Sequence, residues 1–544
     1  MFKKIKQKIN AKLVGRFEVD QKTLKLFCEK NKKIWDKLAA GPENAAEDRG
    51  TIFIGLFMVE KWITWLQPKM LYAKGLEKAT GCRPVVTDWE YNEDLIDFYA
   101  SYGISYLSMK QEMFQNMAGC LYGIFRAAGF FLFGGSGKKM AQLTYQGMEV
   151  GHFMFDTIIR TNKDIYTVRN ARTKTCIKKI WTGFWTLHTL SKVCKKYNPK
   201  YYFYDDLVFD EGMMITLLKS KGVEICSCGL NGQPLHMELG VGEISWTAFD
   251  RGVLVEKLKK MSKEEKEEYI QAADELLLER FQAKNGDERD SKAAFIGKKD
   301  GSKEELEQYL HLHKGRKNVV VCCHTLSECA HCCNEQVFED TYTWVEETMK
   351  MVRDKENANW IIKEHPIAEM KYGETGIIKG LFDKYKSDNM FLFPNEYNSA
   401  LIGQLADVVI TIYGTVGCEY SCLGIPVVLA GKAVYSGFGY TVDAFTREKY
   451  EQVLDRIQDI EPLNEEQTRK AKLIFTYQNR RADVKMQDFT RKMIEYNWKM
   501  DTAHMNEGDI GKLNSEVLSY IMEHVTEEEL YHSDYYTAGF TEVS

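Results

Sequence analysis

No stretch of about 18 uncharged apolar residues occurs in the chain, the length a membrane-crossing helix requires. The nearest approach, Ala118 to Phe133, is interrupted by Arg126 and several glycines and reads as a core or groove-lining helix. The basic N-terminus is not followed by an uninterrupted apolar region with a small-residue cleavage site, so no secretory leader is expected. Charge of one sign is not in large excess either. A net charge of -5 and a pI near 6.2 argue against a general nucleic-acid binder. No D-x-D occurs, which disfavours a metal-anchored sugar diphosphate. Gly134-Gly135-Ser136-Gly137-Lys138 is not a P-loop, because Lys139 stands where Ser or Thr is required and the upstream glycine is missing.

What is present is a chain of 544 residues, 44% of them apolar, long enough for two domains plus accessory segments. Fourteen cysteines without a leader point to reduced thiols and a cytoplasmic setting. They crowd at Cys322, Cys323, Cys329, Cys332 and Cys333, beside His324 and His331. Cys329-x-x-Cys332 has the spacing of half a zinc site, but no second pair follows at ribbon spacing, and Cys322 and Cys323 fall in an apolar strand where thiols act as small hydrophobes. The first 17 residues repeat Phe2, Ile5, Ile9 and Leu13 at helical spacing among Lys3, Lys4, Lys6, Lys8, Lys12 and Arg16, without one acid. That pattern suits a helix on an anionic membrane surface, peripheral on the inner face of the cell membrane, or one docked on the protein itself.

The body alternates strand and helix, which implies parallel α/β architecture. Thr51 to Val59, Pro84 to Thr87, Ile104 to Leu107, Tyr201 to Tyr204 and Val223 to Cys226 give strands or strand ends, and Asp210 to Ser220 a helix. A charge-rich helical stretch from about Val255 to Lys303 reads as a connection or an exposed insertion. A second alternating block begins at Asn318-Val319-Val320-Val321. The expected divisions are a basic helix over 1–25, an N-terminal Rossmann-like domain over 26–254, a helical connector over 255–315, a C-terminal Rossmann-like domain over 316–480, and C-terminal helices with a tail over 481–544.

Ala406 to Thr441 is the most informative stretch. The run Val408 to Ile412 reads as a buried strand, Gly414-Thr415-Val416-Gly417 as a small-residue turn, Cys418 to Leu423 as a helix, and Pro426 to Ala430 as a second strand. Strand, small-residue turn and helix start together point backbone N–H groups at an anion, and glycine admits a phosphate closely. His365-Pro366 follows the strand Asn359 to Lys363, at the strand end where α/β ligands bind. There an imidazole can pair with a phosphate. In the first half Asp205 and Asp206 follow the strand Tyr201 to Tyr204, and Asp210 and Glu211 stand where a helix cap or first turn welcomes acids.

Three segments carry a resemblance: Phe338 to Lys350, Trp360 to Pro366, and Thr411 to Thr441 with its Gly414 to Gly417, Glu419, Gly424, Pro426, Val427, Gly431, Tyr435, Gly437, Gly439 and Thr441. They resemble the capsule and surface polysaccharide biosynthesis proteins, glycosyltransferases of the GT-B type that include the β-Kdo transferases of capsule assembly. The likeness spans roughly 315–450, and Gly147 to Arg160 resembles the family's acceptor-side segment more loosely. It implies two Rossmann-type domains, acceptor-side and nucleotide-sugar-binding, facing a cleft, and an inverting, metal-independent transferase. Such a transferase needs a base from the first half, for which the candidates are Asp156, Asp205, Asp206, Asp210 and Glu211, with Asp156 and Asp206 preferred. No cofactor is implied beyond the nucleotide-sugar co-substrate, and the acceptor would be a glycan or glycolipid. On these residues it implies that His365 meets the donor phosphate, that Gly414, Thr415, Val416 and Gly417 bind it, and that Glu419 accepts from a ribose. The Kdo enzymes' Gln-Pro element is absent from the second half, since the pairs here are Gln67-Pro68 and Gln233-Pro234. Polyol-phosphate transfer or sugar epimerisation on the same fold, and a non-catalytic membrane-associated assembly role, are the competing readings.

Overall fold

A computed structural model of the chain describes residues 19–39, 49–56, 63–89, 93–204, 206–227, 235–236, 246–282, 293–331, 335–368, 373–479 and 507–524. The basic segment 1–17, Asp205, Cys332 and Cys333 lie outside them. The first half contains β1 (Thr51–Leu56), β2 (Arg83–Asp88), β3 (Ser105–Ser108), the antiparallel pair β4 (Thr144–Tyr145) and β5 (Met148–Glu149), then β6 (Pro199–Tyr204), β7 (Glu224–Ser227) and β8 (Leu235–His236). Six of these form one sheet in the order β3-β2-β1-β6-β7-β8, parallel except for β8. The second half contains β9 (Lys317–Cys322), β10 (Ala358–Lys363), β11 (Met390–Leu392), β12 (Val408–Thr411), β13 (Val427–Leu429) and β14 (Thr441–Asp443). They form an all-parallel sheet in the order β11-β10-β9-β12-β13-β14.

Counted within each half, both sheets run 3-2-1-4-5-6, the order of a doubly wound nucleotide-binding fold. The α/β expectation with two Rossmann-type halves is met by that order. The strands form where β-branched and aromatic residues cluster, and β10 and β12 are buried at every position because helices cover both faces. In each sheet the chain reverses direction of winding between its first and fourth strands. Ligands of such sheets bind outside the carboxyl ends at that point, here between β9 and β12 and between β1 and β6.

Two segments depart from expectation, and a third, within the expected C-terminal helices, finds its packing partner. The charge-rich connector belongs to the second half: from its helices Trp246–Lys260 and Lys263–Phe281, Leu254, Ala273 and Leu277 are buried in the second core. Glu267 and Asp274 pair with Arg469 and Lys472 of the Glu465–Asn479 helix. A charge-rich composition marked a helix with one thin apolar stripe, not a free linker. At the chain's other end, helix Glu507–His524 returns to the first half. Its Leu513, Val517, Leu518 and Ile521 enter the core formed with helices Gln21–Ala39 and Ile63–Thr80, and Asn514 Oδ1 accepts from Ile63 N at 3.1 Å. Finally, the helix expected to lie in a core or groove over Ala118 to Phe133 buries only Gly119, Gly123, Ala127 and Phe130 (helix Met117–Phe133), and leaves most of its large apolar residues, Leu121, Phe125 and Phe133 among them, exposed.

Because Leu518 is fully buried in the first-half core, Leu518→Ala is expected to destabilise that half by about 2–5 kcal/mol. A denaturant titration checks this, and an unchanged midpoint would show that the C-terminal helix does not contribute to the core.

Candidate functional site

The carboxyl ends of β9, β10 and β12 gather His324, His365 and the Gly414–Gly417 turn. The loop after β9 is held by a buried carboxylate: Glu374 accepts from Leu326 N at 2.9 Å, Ser327 N at 2.8 Å and Ser327 Oγ at 2.6 Å. Burial raises its pKa, and these three bonds only partly offset that. The loop so fixed sets the His324 ring 4.8 Å from the Tyr413 ring and 5.8 Å from that of His365. Tyr413 Oη donates to Cys329 O at 3.1 Å, tying the β12 loop to the β9 loop across the switch point. At His365, the Ile367 N–H donates to Nδ1 at 3.3 Å, which assigns the neutral ring's proton to Nε2.

The turn expected to bind phosphate is built as a strand–turn–helix, with the helix over Val416–Ser421, two residues earlier than its apolar pattern suggested. Among the described residues the N–H groups of Thr415 and Val416 have no hydrogen-bond acceptor, while Gly417 N donates to Gly414 O at 3.1 Å. Gly417 answers to a second constraint. A Cβ there would stand 2.2 Å from Tyr435 Oη, and that hydroxyl donates to Gly414 O. Glycine is required because a tyrosine 18 residues on fills the space a side chain would take.

Glu419 differs from its expected role. It is buried, and its Oε1 accepts from Arg280 Nε at 2.7 Å. Arg280 also lies 3.4 Å from Thr415 Oγ1. The carboxylate is therefore committed to a guanidinium rather than presented to a ribose. No local spacing announced Arg280, which stands 139 residues away on the connector helix Lys263–Phe281.

From the first half, Asp156 on helix Gly151–Thr161 reaches the second. Its Oδ1 lies 2.6 Å from His331 Nδ1, and its Oδ2 accepts from His331 N at 3.0 Å. Phe155 meets the His331 ring edge-on at 5.0 Å. Burial pulls the His331 pKa down, but the Asp156 carboxylate beside it more than offsets this and the net shift is upward. Neighbouring His152 is pushed down to about 4, by burial first and by the His331 charge second. Other contacts bridge the halves: Arg169 pairs with buried Glu346, and Tyr166 stacks on Tyr342.

Asp206 lies past the carboxyl end of β6, but its Oδ1 accepts from Leu207 N at 2.8 Å and closes its own loop. Asp210 pairs with Lys179, and Glu211 is buried against Tyr202 Oη at 3.0 Å and Asp206 N at 2.9 Å. The structure thus brings Asp156 to the cleft contact, keeps Asp206 at the strand end, and uses Asp210 and Glu211 to hold the loop. Cys322 and Cys323 are buried strand residues. Among the described residues no group of three His, Cys, Asp or Glu side chains is placed to hold a metal.

Two outcomes follow from this geometry. Gly417→Ala is expected to lower the melting temperature, and adding Tyr435→Phe, which removes the clashing oxygen, should restore part of the loss. Equal melting of the single and double variants would dismiss the tyrosine constraint. For the cleft pair, a histidine whose folded pKa is raised stabilises fully below its unfolded value of about 6.5 and loses that contribution as pH rises through the folded value. The stability difference between the wild type and Asp156→Asn should therefore be larger at pH 6 than at pH 9, although His152 lowers absolute stability of both on acidification. A difference independent of pH would show that His331 carries no charge in the pair.

Residues 308–459 match the family model described as capsule polysaccharide biosynthesis protein, the region where the resemblance is expected. No curated protein matches the chain significantly. Among solved structures, the β-Kdo 2,7 transferase KpsC of Thermosulfurimonas dismutans is 14% identical, over 53% of this chain and 80% of its own, with a TM-score of 0.28. The β-Kdo 2,4 transferase KpsC of the same organism is 14% identical over 50% and 78%, with a TM-score of 0.31. A UDP-GlcNAc 2-epimerase from Neisseria meningitidis, bound to UDP-GlcNAc, is 10% identical over 87% and 99%, with a TM-score of 0.19. At such scores the fold rests on the strand order itself, and the family match is confined to residues 308–459.

Proposed function

We propose that the chain is a glycosyltransferase that moves a sugar from a nucleotide-sugar donor to a surface or capsular polysaccharide or a lipid-linked acceptor, on the cytoplasmic side of the membrane. The observation that carries the reading is the family match over residues 308–459, which contains β9 to β14, His365 and the Gly414–Gly417 turn. The donor phosphate sits over the turn, where the Thr415 and Val416 N–H groups donate to it and His365 Nε2–H adds a third donor. Those donors stabilise the negative charge that grows on the leaving nucleotide. Arg280 acts behind them, holding Glu419 and Thr415 in place.

Transfer is inverting and direct. The acceptor hydroxyl oxygen attacks the anomeric carbon as the bond from that carbon to the donor phosphate oxygen breaks, and the nucleotide departs with that oxygen. The hydroxyl proton passes to the Asp156–His331 pair, with Asp156 fixing the imidazole through Nδ1 and Nε2 taking the proton. Of the two carboxylates preferred as base, Asp156 is supported by its proton-carrying partner, whereas Asp206 serves its own loop.

Incubation of the purified protein with a panel of nucleotide sugars and CDP-polyols, reading the nucleotide released, assigns the donor. With that donor, His365→Ala is expected to lower kcat by roughly 10²–10³-fold and Asp156→Asn by roughly 10²–10⁴-fold. Undiminished turnover and nucleotide binding in His365→Ala would end the catalytic reading. Release from a CDP-polyol alone would replace sugar transfer by polyol-phosphate transfer.

A further inference from the structure

The helix Met117–Phe133 is packed the wrong way round for a soluble protein. Amphipathic helices turn large apolar side chains inward, yet here the inward face is Gly119, Gly123, Ala127 and Phe130. The outward face is Met117, Leu121, Phe125, Leu132 and Phe133, with Phe125 at 75% and Phe133 at 81% exposure. The small residues let this helix lie close against helix Lys174–Tyr197: a Cβ on Gly123 would stand 2.4 Å from Trp181 O. Its one charged residue, Arg126, is turned away from the apolar face, onto the Phe184 ring at 4.0 Å and Thr144 O at 2.9 Å. The preceding helix Met109–Gln115 joins it at a bend of 80° and adds exposed Phe114. Buried Asn116 fixes that corner, its Oδ1 accepting from Gly119 N and its Nδ2 donating to Thr189 Oγ1. The face is therefore a built and rigid surface.

Charge identifies its occupant. From Met113 to Met148 the sequence has no acid, and from Ile165 to Tyr204 it has nine Lys and Arg and again no acid; these two stretches contribute the two packed helices. The basic residues flank both ends of the apolar stripe. Lys192 and Lys195 lie near His188, which packs beside Gly119, and lower its pKa after burial does. At the far end Lys139 Nζ is 3.4 Å from Phe133 O, and Arg172 Nε donates to Phe131 O at 2.8 Å. An apolar stripe about 25 Å long, rimmed by cations, with Glu112 at one end held by Lys196 at 3.0 Å, matches the boundary between acyl chains and anionic headgroups. Only as a bent pair with Met109–Gln115 does this helix reach the length and apolarity of a span, and the 80° bend, with one face packed against helix Lys174–Tyr197, suits it to lie along the interface plane.

We infer that the Met117–Phe133 face is the surface by which this protein docks on an anionic lipid bilayer, independently of residues 1–17. Docking there places the first half, with Asp156 on the neighbouring helix layer, at the membrane where a lipid-linked acceptor would be presented. The inference stands or falls apart from the catalytic reading.

The test is co-sedimentation of the full chain with phosphatidylglycerol-containing or pure phosphatidylcholine vesicles, beside the variant Phe125→Glu/Leu132→Glu. Wild type should favour the anionic vesicles and lose binding at high salt. The variant, substituted only at exposed positions, should bind roughly tenfold or more weakly with an unchanged melting temperature and unchanged turnover of a soluble acceptor. Equal binding by variant and wild type would overturn the inference. So would a wild-type dimer in size-exclusion chromatography that the variant converts to monomer without loss of vesicle binding, since the face would then belong to a second copy.

Discussion

The contact on which the arrangement of the molecule turns is that between Asp156 and His331. One buried carboxylate takes both the main-chain and the ring N–H of a single histidine from the other half. Burying an ion pair gains little net stability, because desolvation cancels most of the attraction. What such a pair supplies is geometry: neither partner can leave without exposing the other unpaired. The halves are thereby registered so that the helix carrying Asp156 faces the β9 loop, while Glu374, anchoring that loop from below, prevents it from following Asp156 away from His324 and His365. The Arg169–Glu346 pair and the Tyr166–Tyr342 stack widen the same contact.

The donor turn illustrates how one residue type can satisfy two demands. Glycine at 417 was attributed to close approach by a phosphate, and the structure adds that Tyr435 already occupies the side-chain space. The spaced series running from Gly414 to Thr441 is thus partly a packing device: Tyr435 reaches back to Gly414 O and freezes the turn, and stacks on Tyr440 at 6.4 Å between ring centres. A frozen turn is also what anion binding needs, because donors already aimed cost no reorganisation when the charge arrives.

Much of the fold was legible because its signals are local. Runs such as Val319-Val320-Val321 and Val408-Val409-Ile410 identify themselves as buried parallel strands, and the paired blocks of alternation predict two sheets. Of the site, His365 and the turn were legible for the same reason, since both stand directly at strand ends. Arg280 and His331 were not legible in role. Arg280 lies in a stretch whose charge density hid a docked helix, and His331 stood among cysteines that suggested metal. Glu419 was misjudged because helix position explains an acid at a first turn but not which partner, 139 residues distant, it will meet.

The Met117–Phe133 helix was misread for a reason that bears on the whole molecule. Hydropathy reports how apolar a segment is, not which of its faces the protein uses. A helix with glycines at 119 and 123 and alanine at 127 on one side can pack backbone to backbone, gaining dispersion contacts while Phe130 is its one large side chain fully in the core. Its remaining surface is then left with nothing in the described structure to cover it. Membrane helices associate through the same small-residue faces, because their large side chains already have an apolar solvent. For this helix the arrangement is costly in water and favourable where an apolar surface covers that face. The acid-free, lysine-rich helix packed against it fits a phase whose boundary is negatively charged.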